Sequence, residues 1–248
     1  MYGLFLVGVA VFAAVANWQA IGENFFDWEI AKAQFPRILT VAARNTVVFT
    51  LIAFAGGLVV GLVLAVMRLS SITPYRWASL VYIEIFRGLP ALLTMFLFAF
   101  GFPLAFGFRL PGGTNGAALL GLTLVAAAYI AETIRAGIQA VPKGQTEAAR
   151  SLGMGRARTL VTVVIPQALR IVVPPLTNEI ILLIKDTSLL ALVGVTANQE
   201  ELTKFARDGL ISTSNSTPLI VAGALYLLIT IPMTSVVRRL ETRNRQAR

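Results

Sequence analysis

Pro142–Arg170 reads PKGQTEAARSLGMGRARTLVTVVIPQALR, a polar and basic stretch set between apolar runs. Pro142 and Gly144 break any helix that precedes it. Glu147–Leu152 is a good helix former, with Ala148 and Leu152 on one face and Arg150 and Ser151 beside them. Gly153 and Gly155 then stop it. The spacing predicts a short helix, within about 144–156, that points apolar and basic groups at whatever lies below. An interfacial helix resting on lipid headgroups has the same pattern, and spacing does not separate the two.

Working outward, the flanks define the fold class. Apolar residues make up 56% of the 248-residue chain and charged residues 13%, against about 25% charged in ordinary soluble domains. Too few charges are present to wet a soluble surface, so the chain is read as an all-α protein spanning a membrane. With no cysteine or histidine, disulfides, thiol chemistry and the usual zinc and haem ligands are excluded, and no metal site is expected. The net charge of +9 is read as a topology signal and not as a nucleic-acid surface, because the basic residues sit between and after apolar runs.

About six spans can be drawn: Tyr2–Asn17, Asn45–Met67, Val81–Phe106, Asn115–Ile134, Ile171–Val195 and Pro218–Val237. The first is short and has no positive residue before it. Ala13, Ala14 and Ala16 suit a signal-peptide cleavage site, but the charged leader is missing, so it is read as a retained span. Basic residues set the orientation. With the N-terminus inside, Arg68, Arg76, Arg135, Lys143, Arg150, Arg156 and Arg158 are inner, together with Arg238, Arg239, Arg243, Arg245 and Arg248 of the tail. Lys32, Arg37, Arg44, Arg109, Lys185, Lys204 and Arg207 are outer, amid most of the acids. Twelve against seven places the C-terminus in the cytoplasm. The chain then divides into 1–43 (first helix and an outer interfacial segment), 44–240 (the transmembrane core) and a basic tail at 241–248. A Gly/Pro turn is expected over Arg109–Asn115, and a short amphipathic helix within Asn198–Leu210, with Leu202, Phe205 and Ala206 on one side.

Several residues are out of place on a lipid-facing wall. Ala53, Gly57, Gly61 and Ala65 recur every four residues, a stripe that admits another helix at close range. It serves either a subunit interface or packing inside one subunit. Glu84 and Arg87, and again Glu132 and Arg135, lie one helical turn apart and can pair. The fifth span carries Pro174, Pro175, Asn178, Glu179, Lys185 and Asp186. Charges this deep are expensive unless they meet partners or water. Glu179 and Asp186 are two turns apart and share a face, and the prolines kink the helix and free carbonyls. A pathway wall and an internal Lys185 salt bridge are both open readings.

The opening stretch also carries a resemblance. Glu147-Ala148-Ala149, then Gly153, then Ile165-Pro166 resembles the EAA loop of ABC-importer permeases. VPKGQTEAARSLG at Val141–Gly153 is similar to the IPKGQ-EAARALG run of the polar amino-acid permeases (histidine, glutamine, glutamate and arginine types), and FRGLP at Phe86–Pro90 to their FRGTP. PPLTNEII and KDTSLL, at Pro174–Ile181 and Lys185–Leu190, match two further segments. The likeness covers about Thr46 to Leu240. Leu89 stands for Thr, Ala91 for Leu and Ile165 for Leu, and the first forty residues fall outside it.

The resemblance implies a type I importer transmembrane domain, with a five-helix core plus one N-terminal helix, in a bacterial inner membrane. By that resemblance Glu147, Ala148, Ala149, Arg150, Leu152 and Gly153 would form the coupling helix that docks on an ATPase. The implied partners are two ATPase subunits, a second permease (identical or homologous) and an extracytoplasmic amino-acid-binding protein. No G-x-x-x-x-G-K-[ST] loop exists in the chain, so it is not itself expected to be an enzyme. ATP and Mg belong to the partner subunits, and no cofactor is expected here. The pathway helices would supply Glu179 and Asp186 for an ammonium or cationic side chain and Asn178 and Thr187 for hydrogen bonds. Met95 and Tyr129 would form a wall, with Arg87 beside them. Two rival classes predict otherwise: an ion-coupled transporter or channel would work as this chain alone, and a membrane scaffold would show no substrate dependence.

Overall fold

The computed structural model describes residues 2–107, 110–194 and 198–246. Arg109, Val195 and Arg248, which figured in the expected outer turn, fifth span and tail, lie outside them, as do the side chains of Arg243 and Arg245. Every regular element among the described residues is helical. In chain order these are α1 (Tyr2–Val15), α2 (Trp18–Phe25), α3 (Trp28–Ala33), α4 (Arg44–Leu69), α5 (Thr73–Gly88), α6 (Ala91–Phe96), α7 (Phe102–Phe106) and α8 (Gly113–Gln139). There follow α9 (Lys143–Ser151), α10 (Arg156–Thr159), α11 (Ile165–Asp186), α12 (Leu202–Thr213) and α13 (Thr217–Gln246).

Four helical runs are long and apolar enough to cross a bilayer: Ile38–Leu69, Gly113–Gln139, Arg156–Leu192 and Thr217–Thr242. Wider turns at Ile38–Ala43 and Leu160–Val164 join α4 and α11 to their leading segments, and a 3-10 turn extends α11 over Thr187–Leu192. The fifth crossing differs from the straight Val81–Phe106 span expected. Thr73–Gly88 and Ala91–Phe106 form a pair bent by 105°. Leu89 is extended (φ −90°, ψ 140°), as a residue preceding proline prefers, and Pro90 has no N–H to continue the helix. Over the expected first span the described residues form the 14-residue α1, about 21 Å long at 1.5 Å per residue.

Helix α8 is the centre of the bundle. Ala117, Ala118, Leu122, Ala126, Ala127, Ala128, Ile130 and Ala131 along it are buried. The small-residue stripe of α4 lies against it, and this settles the open question as packing within one subunit. A Cβ added at Gly61 would sit 2.9 Å from the Ala127 carbonyl oxygen, and one at Gly57 would sit 3.1 Å from the Ala126 Cβ. Backbones approach this closely only where side chains are absent. The opposite side of α4 leaves Leu51, Val59, Leu62 and Val66 exposed.

At one end, α12 caps the bundle, its Leu202 and Ala206 fully buried and Phe205 packed beside them, as the expected amphipathic pattern requires. Exposed Trp18, Phe26, Trp28 and Phe35 mark the neighbouring α2–α3 segment, an aromatic belt suited to a membrane interface.

Candidate functional site

Two constellations stand out. The first gathers α5, α8 and α11. Helix α11 runs unbroken through Pro174 and Pro175, with Glu179 and Asp186 both half-buried. Glu179 lies within electrostatic range of Asp186 and of Arg87, brought in from the end of α5. The Arg87 guanidinium stands over the Tyr129 ring of α8, its Cζ 5.5 Å from the ring centroid, close enough for a cation–π attraction. The expected Glu84–Arg87 pair is absent among the described residues, and so is an ion pair between Lys185 and either acid. One turn beyond Tyr129, Glu132 pairs with Arg135 as expected, and Arg135 also donates to the Gln139 Oε1 at 2.5 Å. Glu132 further feels the charges of Arg87 and Arg68.

Arg87 and Tyr129 are therefore in contact, Glu179 lies in electrostatic range of that arginine, and Asp186 stands two turns further along α11. Asn178 is exposed on the same helix. Thr187 is fully buried and its hydroxyl donates to the Ile184 carbonyl at 2.7 Å, so its hydrogen is engaged within its own turn. Met95 does not join the group. It is fully buried in the main core, and its backbone passes so near Gly121 that an added Cβ there would lie 3.1 Å from the Met95 Cα.

The second constellation is α9. Ala149 is buried, while Glu147, Ala148 and Arg150 are exposed and Leu152 is 85% exposed. The helix ends in a reciprocal cap: Gly153 N–H donates to the Arg150 carbonyl at 3.0 Å and Met154 N–H to the Ala149 carbonyl at 3.2 Å. This cap needs a left-handed residue, and Gly153 adopts φ +82°, which costs glycine almost nothing. Arg150 Nη1 donates to the Met154 carbonyl at 2.7 Å and ties the chain after the cap to the helix. An apolar tip is thus held rigidly away from the bundle.

A third group was not legible in the sequence. Glu201 is fully buried and caps α12, accepting from the N–H groups of Thr203 (2.6 Å) and Lys204 (2.7 Å) and from the Tyr226 hydroxyl (2.9 Å). Burial pushes its carboxyl above the usual range, against the opposing pull of these donors. Beside it, Arg37 Nη2 donates to the Glu200 Oε1 at 2.7 Å, and Thr46 Oγ1 accepts from Leu202 N–H at 3.1 Å. These contacts clasp α4, α12 and α13 together. In sequence the pair was only a count of outer acids, since Glu is not a preferred helix cap.

The bent helix pair, the small-residue α4–α8 seam and the projecting, glycine-capped α9 define a membrane permease. Residues 57–246 match the family of binding-protein-dependent transport system inner membrane components, and the chain belongs to it. It is the non-catalytic membrane subunit of an ABC importer, with the ATPase on a separate subunit. Among its relatives, the probable glutamine ABC transporter permease GlnM of Bacillus subtilis is 41% identical over 202 residues, covering 80% of this chain and 89% of its own length. The glutamine transport system permease GlnP of Escherichia coli K12 is 34% identical, covering 88% and 97%. A solved structure of an amino acid ABC transporter with histidines matches with a TM-score of 0.79 at 34% identity, over 88% of this chain and 98% of that one. A MetNI methionine ABC transporter shares the fold with a TM-score of 0.68 at 21% identity.

Proposed function

We propose that this permease imports a polar amino acid, handed over outside by a binding protein, and that it works as one of two permease chains above two ATPase subunits. In this arrangement the C-terminus lies in the cytoplasm, as the basic tail requires, and ATP with Mg binds on the ATPases. The observation that carries the coupling half of the reading is the outward aim of α9: Leu152 is 85% exposed, while Ala149 on the other side is buried. An apolar tip on a rigid cap is what a cleft in a partner subunit can grip and move. Glu147, Ala148 and Leu152 make up that contact, while buried Ala149 seats the helix on the bundle, Arg150 braces its cap through the Met154 carbonyl, and Gly153 sets where it ends.

The substrate half rests on Glu179, Asp186, Arg87 and Tyr129. Two carboxylates with one guanidinium offer a zwitterion both of its complements. The acids attract the ammonium or a cationic side chain, and Arg87 attracts the carboxylate, bidentate if aligned. The Tyr129 ring holds Arg87 in place, and Asn178 adds hydrogen-bonding capacity. The likeness to glutamine permeases supports an amino acid as cargo.

The test is ATPase activity and uptake by the membrane-reconstituted complex, with its binding protein and each amino acid in turn. Stimulation by one or a few polar amino acids is expected. Transport by this chain alone, without ATPase and abolished by dissipating ion gradients, overturns the reading.

A further inference from the structure

The side of α9 turned away from Leu152 has a chemistry that ATPase coupling does not use. Lys143 and Arg150 are two turns apart on that helix, and Arg156 at the start of α10 faces the same space. All three line a cavity of about 780 Å³, whose remaining wall includes Val141, Leu160 and Val164. No carboxylate lines it among the described residues, and none of the three cations enters an ion pair there. Three unneutralised cations around one cavity raise its potential and favour an anion. The apolar wall runs on into Leu160 and Val161, 44% and 60% exposed, at the foot of the Arg156–Leu192 span.

We infer that this cavity is a binding site for the phosphate group of an anionic phospholipid of the inner leaflet. The phosphate meets Lys143, Arg150 and Arg156, and the glycerol and first acyl carbons lie against Val141, Leu160 and Val164. Free phosphate shares the first half of that chemistry and leaves the apolar wall unused. A lipid seated there lies between α9 and the foot of α10, so it props the angle at which α9 leaves the bundle. Only this consequence rests on the importer reading; the binding itself does not.

The experiment is native mass spectrometry of the delipidated complex in detergent, offered phosphatidylglycerol or phosphatidylcholine of matched chain length. The wild type is expected to retain about one phosphatidylglycerol per permease chain and to discriminate against phosphatidylcholine. Lys143→Gln/Arg156→Gln is expected to weaken that retention roughly thirtyfold, as when two basic residues stop attracting an anionic headgroup. An unchanged melting temperature and elution volume show that the double variant is folded. Equal retention of both lipids by the wild type, or equal phosphatidylglycerol retention by wild type and variant, overturns the proposal. Titration with inorganic phosphate separates the sources: displacement at millimolar concentration supports the phosphate group alone as the recognised unit, and persistence supports the whole lipid. Failure of the importer reading would appear as ATPase insensitive to amino acids, with lipid retention untouched.

Discussion

The Arg87 guanidinium carbon stands 5.5 Å from the centroid of the Tyr129 ring, joining the end of α5, just before the 105° bend, to the central helix. The same arginine is sensed by Glu179 and by Glu132. The charge of this arginine, just before the bend, thus reaches acids on two other helices.

That contact makes a first prediction. Tyr129→Leu removes a cation–π attraction of about 1 kcal/mol, so KM for the transported amino acid rises roughly fivefold while α8 stays folded. Tyr129→Phe keeps the ring face and most of the affinity. Uptake kinetics in proteoliposomes decide it, and equal KM values in both variants would remove Arg87 from the substrate site.

Glu179→Gln and Asp186→Asn keep shape and delete charge. Each is expected to lower uptake of the cognate amino acid about tenfold or more, because a charge-assisted contact contributes roughly 1.5–3 kcal/mol. Insertion in the membrane and basal ATPase persist. Unchanged rate and selectivity in both would place the site elsewhere.

Gly153→Asp forces a side chain into a backbone at φ +82°, at a cost of about 1 kcal/mol. Glu147→Arg reverses a charge on the exposed side of the same helix. Both variants are expected to insert and assemble yet hydrolyse ATP without accumulating substrate. Parallel ATPase and uptake assays check this, and normal uptake in both sinks the coupling role of α9.

Gly61→Val tests the seam. Its Cβ alone would sit 2.9 Å from the Ala127 carbonyl oxygen and 3.0 Å from Ile130, so overpacking is expected to destabilise the bundle by about 1–3 kcal/mol. The drop is read as a lower melting temperature of the purified permease. An unaltered melt would show that α4 and α8 are not in this contact.

The clasp carries a pH dependence. Burial raises the Glu201 carboxyl in the folded protein, so folding favours its protonated form. That contribution is complete below the ordinary carboxylate range and is lost as pH rises through the raised folded value. Glu201→Gln, which cannot ionise, flattens this part of the profile. Melting temperature against pH for both proteins is the check, and parallel curves would dismiss it.

By itself the sequence determined the membrane class, four of the crossings, the short helix at α9 with its stop at Gly153, and the Glu132–Arg135 pair. These rest on local quantities: hydropathy over about twenty residues, helical spacing, and the backbone freedom of glycine and proline. The face shared by Glu179 and Asp186 was legible for the same reason. Only the tertiary structure decided the rest. Nothing local says that the Gly57–Gly61 stripe meets α8 rather than a second subunit, because a small-residue stripe is complementary to any close backbone. Arg87 was expected to pair with Glu84 one turn away, but the neighbour that matters, Tyr129, is set by how α5 packs on α8. Met95 was expected in the pathway wall beside Tyr129, but the close approach of its backbone to Gly121 seals it in the core. The clasp of Glu201, Tyr226 and Thr46 spans residues distant in sequence, and its hydrogen bonds exist only once three helices have packed.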